Sequence, residues 1–167
     1  MTPSPYDIPE CSHFTAGTVG PPGGRIFHLQ AAAPGVLVTL RCEKQHVLAL
    51  AEGIGAALPD LPARPIGALP PTADLIDPIE VAWVVGGIGL AYDADADRIV
   101  VVASEATESE DDDGAIARWS VTREQALTFV ARARELAEGG RPTCPLCERP
   151  IDRDGHTCPK TNGHRPH

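Results

Sequence analysis

Apolar and polar positions follow a strand period along the first quarter of the chain and then switch to a helical one. The pattern predicts strands over residues 13–19, 25–30 and 36–40, separated by the turn signals Gly20-Pro-Pro-Gly-Gly24 and Pro34-Gly35. In the second strand, Ile26, His28 and Gln30 share one face, and Arg25, Phe27 and Leu29 share the other. Val47, Leu50, Ala51, Ile54 and Leu58 then recur at three- and four-residue steps, which predicts a helix over about 43–58 with one apolar stripe. A long apolar strand follows over 81–92, with Gly86, Gly87 and Gly89 marking a bulge or bend. Asp93 to Asp97 reads as a polar turn leading into a strand over 98–103, and a further strand covers 115–121. Thr122 and Gln125 form a capping box in front of a second helix, which Gly139-Gly140 stops. Leu127, Val130, Ala133, Leu136 and Ala137 are its expected buried side, with Arg123, Arg132 and Arg134 outward.

The order βββα-βββα predicts an α+β fold: a largely antiparallel sheet of about six strands with two helices on one face, followed by a C-terminal run from Cys144 to His164 whose cysteine and histidine spacing reads as a zinc knuckle. Residues 1–10, with three prolines and no periodicity, are expected to be a flexible N-terminal arm. The α+β domain then runs over 11–139, interrupted by a Pro-rich linker at 59–78 and an acidic loop at 105–114, and a tail occupies 140–167. Six prolines in 59–78 leave no room for a helix or a central strand.

Charge is unevenly spread. Residues 1–138 hold nine Lys/Arg against twenty Asp/Glu, giving −11, whereas residues 139–167 hold five against three, giving +2. An acidic body repels nucleic acid and anionic membranes, so only the tail suits a polyanion. The aromatic share is 4%, which makes the core one of Val, Leu, Ile and Ala. The longest apolar run is broken by three glycines and falls short of a membrane span, and the first residues lack a secretory signal. A cytoplasmic location follows as the expectation, and in a reducing compartment five cysteines point to metal or thiols rather than disulfides.

The tail concentrates the chemistry. Cys144-Pro-Leu-Cys147, His156-Thr-Cys158 and His164 fall within about two dozen residues, too few to build a core without help. Two cysteines two residues apart on a tight turn present both sulfurs to one point, and His156 and Cys158 leave an extended segment on one face. Cys144, Cys147, His156 and Cys158 are therefore the expected ligands of a structural Zn²⁺, with His164 as the alternative to His156. Three thiolates and one imidazole leave no coordination position for water, which favours structure over catalysis. The competing reading of Cys144 and Cys147 is a redox dithiol, but such pairs open a helix after a strand, and this pair follows a helix.

Other signals are weaker. Asp93-x-Asp95-x-Asp97 lacks the Gly and Glu that a calcium loop needs at 98 and 104, where Arg98 and Ser104 stand, so a hairpin turn explains it. The glycine-rich turn before Arg25 invites an anion, with Arg25, Lys44 and His28 as the speculative site, although a hairpin turn accounts for every glycine there. His13, His28 and His46 stand isolated, and Cys11 and Cys42 read as small core residues.

The blocks Ala16-Gly-Thr-Val-Gly-Pro-Pro-Gly-Gly-Arg25-Ile-Phe-His-Leu-Gln-Ala31, Glu43-Lys-Gln45, and Gly140 to Cys147 followed by Asp152, Gly155-His-Thr-Cys158 and Asn162-Gly163 resemble the domain-of-unknown-function family 3090 of high-GC Gram-positive bacteria. The resemblance implies no established activity. It favours His156 as a ligand, because members often carry tyrosine where His164 stands. It also implies gene neighbours that resemble a histidine phosphatase and a lipid kinase, and so a phosphoryl-transfer enzyme as partner.

Three functional expectations follow. The first is a zinc-stabilised, non-catalytic cytoplasmic protein that works through an unknown protein partner. The second is an enzyme or sensor acting on a phosphorylated small molecule. The third is weak nucleic-acid binding by the zinc tail.

Overall fold

The computed structural model describes residues 4–21, 23–139, 144–149, 151 and 158–161. Six strands form one sheet: β1 (His13–Val19), β2 (Ile26–Ala33), β3 (Val36–Cys42), β4 (Val81–Asp93), β5 (Arg98–Glu105) and β6 (Ile116–Val121). They lie side by side in chain order. All neighbours are antiparallel except β3 and β4, which run parallel because α1 (Lys44–Ala57) and the Pro-rich segment carry the chain back between them. The second helix, α2 (Arg123–Glu138), follows β6 and packs against α1, β1 and β5.

The expected elements all form. Leu29 and Leu40 of the sheet, Leu50 and Ile54 of α1, and Trp119 and Phe129 are essentially inaccessible to solvent. Phe129 stacks on Phe14 with ring centroids 4.5 Å apart, and Trp119 meets Phe14 edge-on at 6.2 Å. The glycines of β4 do mark a bulge: the β4–β5 register shifts between Val85 and Gly87. A Cβ on Gly86 would lie 2.8 Å from Ala106 Cα, so only glycine fits where the strands close up.

The N-terminal stretch departs from expectation. Residues 4–10 are no loose arm. Ile8 is buried, its N–H donates to Arg118 O and its O accepts from Ser120 N, so it pairs with the outer edge of β6. Cys11 N also bonds Ser120 O, and from Ser12 the same chain turns to pair with β2. One continuous segment thus joins the two ends of the sheet, which curls until Phe14 of β1 reaches Trp119 of β6. Closure leaves neither end strand with a fully open edge.

The Pro-rich stretch forms no strand and only one short 3₁₀ turn, Leu58–Asp60, yet it is strapped down along its length. Arg123 holds Pro62 O, Glu124 accepts from Gly67 N, Thr128 donates to Pro70 O, and Arg132 pairs with Asp74 at 2.8 Å. The strap then crosses the outer face of β1 and β2. Thr15 donates to Ala73 O, and the Gln30 amide grips Ile76 at both its N–H (2.7 Å) and its O (3.0 Å). Leu75 lies directly over Gly17.

Two helix residues expected outside are not exposed. Arg123 is buried, because its guanidinium reaches Asp97 in the β4–β5 turn at 2.9 Å. Arg132 is half-buried and donates to Ala16 O on β1.

Candidate metal centre

Cys144 begins a loop closed by two backbone hydrogen bonds, Glu148 N to Cys144 O and Cys144 N to Arg149 O, both 2.9 Å. The loop turns tightly enough to bring Cys147 back beside Cys144. Glu148 has φ of 60°, a left-handed conformation that glycine adopts more readily. Cys158 approaches from the far side of the tail, its sulfur 3.9 Å from that of Cys144. The three sulfurs lie within 4.8 Å of one another, and Cys144 and Cys158 are fully buried.

These distances discriminate between chemistries. Sulfurs at about 2.3 Å from one tetrahedral ion lie roughly 3.8 Å apart, close to the 3.9 Å between Cys144 and Cys158. No disulfide joins any of the five cysteines. Backbone N–H groups of Cys147 and then Leu146 point at the Cys144 sulfur and pull its pKa below the ordinary cysteine value. Cys147 goes the other way: the N–H of Arg149 draws it down, but burial and the neighbouring sulfurs outweigh that and raise it. Three thiolates this close repel one another unless a cation sits among them, so the cluster can hold a metal ion. Of the expected ligands, the structure brings together Cys144, Cys147 and Cys158; His156 and His164 lie outside the described residues.

The remaining cysteines are unreactive by environment. Burial pushes both Cys11 and Cys42 up to about 12, with Glu43 adding to the effect at Cys42. The aspartates of 93–97 form a hairpin turn, as expected. Asp93 Oδ1 accepts from Asp95 N and Ala96 N, and Asp97 is taken by Tyr92, Arg123 and Arg64.

The speculative anion residues divide. Arg25 and Lys44 line one cleft of about 420 Å³, together with Arg41, which the sequence reading passed over. His28 does not line it. It is buried, its Nδ1 lacks a hydrogen-bond partner among the described residues, and its pKa is lowered chiefly by burial and further by Arg41, against an opposing bond to the Ile26 backbone. Arg41 had a signal in the alternation of β3, where an arginine between buried Leu40 and Cys42 must face outward.

A family model described as "Protein of unknown function (DUF3090)" matches residues 6–158, nine-tenths of the chain. The chain belongs to this family. The DUF3090 match takes in the segment that closes the sheet, the strap, the cationic cleft and all three clustered cysteines, and it ends at Cys158. No curated protein and no solved structure matches the chain. Among the described residues, no helix is long and apolar enough to cross a membrane.

Proposed function

We propose that Cys144, Cys147 and Cys158, with His156 as fourth ligand, hold one structural Zn²⁺, and that this DUF3090 protein is a non-catalytic accessory factor of the cytoplasm that acts on a protein partner. The observation that carries the reading is the three-sulfur cluster within 4.8 Å. Soft thiolates in tetrahedral spacing select zinc over hard cations, and a set of three sulfurs and one imidazole is closed to water. Support for His156 over His164 comes from the family match, which includes position 156 and stops before 164.

A site closed to substrate directs the search to surfaces and partners. A phosphoryl-transfer enzyme is the partner implied by the resemblance of the chain to its family. Affinity capture at native abundance, comparing the unaltered chain with Cys144→Ser/Cys158→Ser, tests this. Enrichment of a phosphoryl-transfer enzyme by the unaltered chain alone is the expected result, and equal recovery by both would detach the tail from the role.

The enzyme-or-sensor reading keeps one supporting observation, the shared cleft of Arg25 and Lys44. The nucleic-acid reading is opposed by a −11 body beside a +2 tail, a small excess that three zinc-bound thiolates would reduce further.

A further inference from the structure

The topology gathers positive charge at one end of the sheet. Antiparallel pairing sets the start of β2 beside the end of β3, with Phe27 opposite Cys42 and His28 opposite Arg41. Parallel pairing sets Arg41 opposite Val84 of β4, and α1 begins two residues after β3 ends. Arg25, in the turn before β2, Arg41 on β3 and Lys44 on α1 therefore converge on one cleft. Half-buried Phe27 and exposed Val84 add apolar surface to its lining, with Cys42 and Val85 buried behind them. The cleft sits at the carboxyl end of β3, where the crossover to a parallel strand begins, which is the usual place for small ligands in such units.

Two quantities make this a site rather than a solvated patch. Residues 1–138 contain nine Lys/Arg against twenty acids, yet three of the nine meet here with only Glu43 on the same lining. None of the three side chains has a hydrogen-bond or ion-pair partner among the described residues; exposed Arg118 and Arg134 share that state, but Arg25, Arg41 and Lys44 also share one cleft, and Arg64, Arg123 and Arg132 are paired with carboxylates. In a body with so many acids, three cations left without a carboxylate are available to an outside anion. The size decides what kind: about 420 Å³ lies within the range of roughly 300–1,000 Å³ that takes a small molecule.

We propose that this cleft binds a small phosphorylated molecule with an apolar or aromatic moiety, its phosphate held by Arg25, Arg41 and Lys44 and its apolar part laid on Phe27 and Val84. The cleft and the cysteine cluster share no residue, so variants of one leave the other's side chains in place and either proposal can fail without the other.

Phenyl phosphate and inorganic phosphate are suitable probes, titrated into the full chain by calorimetry or ³¹P NMR. Phenyl phosphate binds more tightly than inorganic phosphate, because only it uses the apolar surface of Phe27 and Val84. Arg41→Gln/Lys44→Gln weakens it by about tenfold or more, as expected when charge-assisted contacts are lost. Arg118→Gln/Arg134→Gln, an equal charge change on exposed residues outside the cleft, leaves it unchanged. Absence of phenyl phosphate binding at millimolar concentration, or an equal loss in both double variants, overturns the proposal. So does binding of an Asp/Glu-rich peptide that depends on Arg41 and Lys44 while phenyl phosphate fails, since the cleft would then serve a protein.

Discussion

Single residues carry unusual loads at two positions. Glu148 occupies the left-handed conformation that closes the cysteine loop. A non-glycine residue there costs roughly 1 kcal/mol. Glu148→Gly is therefore expected to tighten metal binding about fivefold, as measured by competition with a chromogenic chelator, and weaker binding would mean that the side chain itself supports the loop. Gly17 is the counterpart in the body, because a Cβ there would clash with the Leu75 side chain. Gly17→Ala should destabilise by about 1–3 kcal/mol through overpacking. Combined with Leu75→Ala, which empties that space, the loss should fall well short of the sum of the single changes, as chemical denaturation can show. Strict additivity would mean that the strap does not rest on Gly17.

At the scale of elements, the strands and helices were legible because each carries its own period. The strap was not, because its anchors are tertiary: nothing near Pro70 or Ile76 announces Thr128 or Gln30. Arg123 was misread for the same reason, its partner Asp97 lying 26 residues away in a hairpin turn. That contact makes a pH prediction. Asp97 is held below the ordinary aspartate value of 3.8, first by the hydrogen bond from Arg123 and then by that from Tyr92. A carboxyl lowered by folding contributes stability that is complete above its unfolded pKa and is lost as pH falls through the folded value. Asp97→Asn should thus be less stable than the unaltered chain at pH 7, and the gap should narrow below about pH 4. A gap that stays constant into acid would show that the carboxylate charge plays no part in joining the β4–β5 turn to α2 and the strap.

The body supplies its own core, and the described residues of the tail bring three cysteines together. The body draws its closure from a non-local pairing, Ile8 against β6, which a lone apolar residue among prolines could not signal. The parallel β3–β4 pair was signalled only indirectly, by a helix and a long connection between two strands. The cysteine cluster was legible because ligand spacing is local chemistry, and Cys144, Cys147 and Cys158 lie within 4.8 Å of one another, close enough to share a metal ion. The cleft was half legible: Arg25 and Lys44 flank sequence signals, whereas Arg41 joined them only through sheet register.

The account turns on whether those three sulfurs hold zinc. Metal content per chain, measured on untagged protein purified without added zinc and followed by a chelator challenge, is the most direct measurement. One zinc per chain, surrendered only as the tail unfolds while the body keeps its thermal transition, is the predicted result. Metal-free protein whose Cys144 and Cys147 oxidise readily to a disulfide would contradict it, and would make the tail a thiol-redox element.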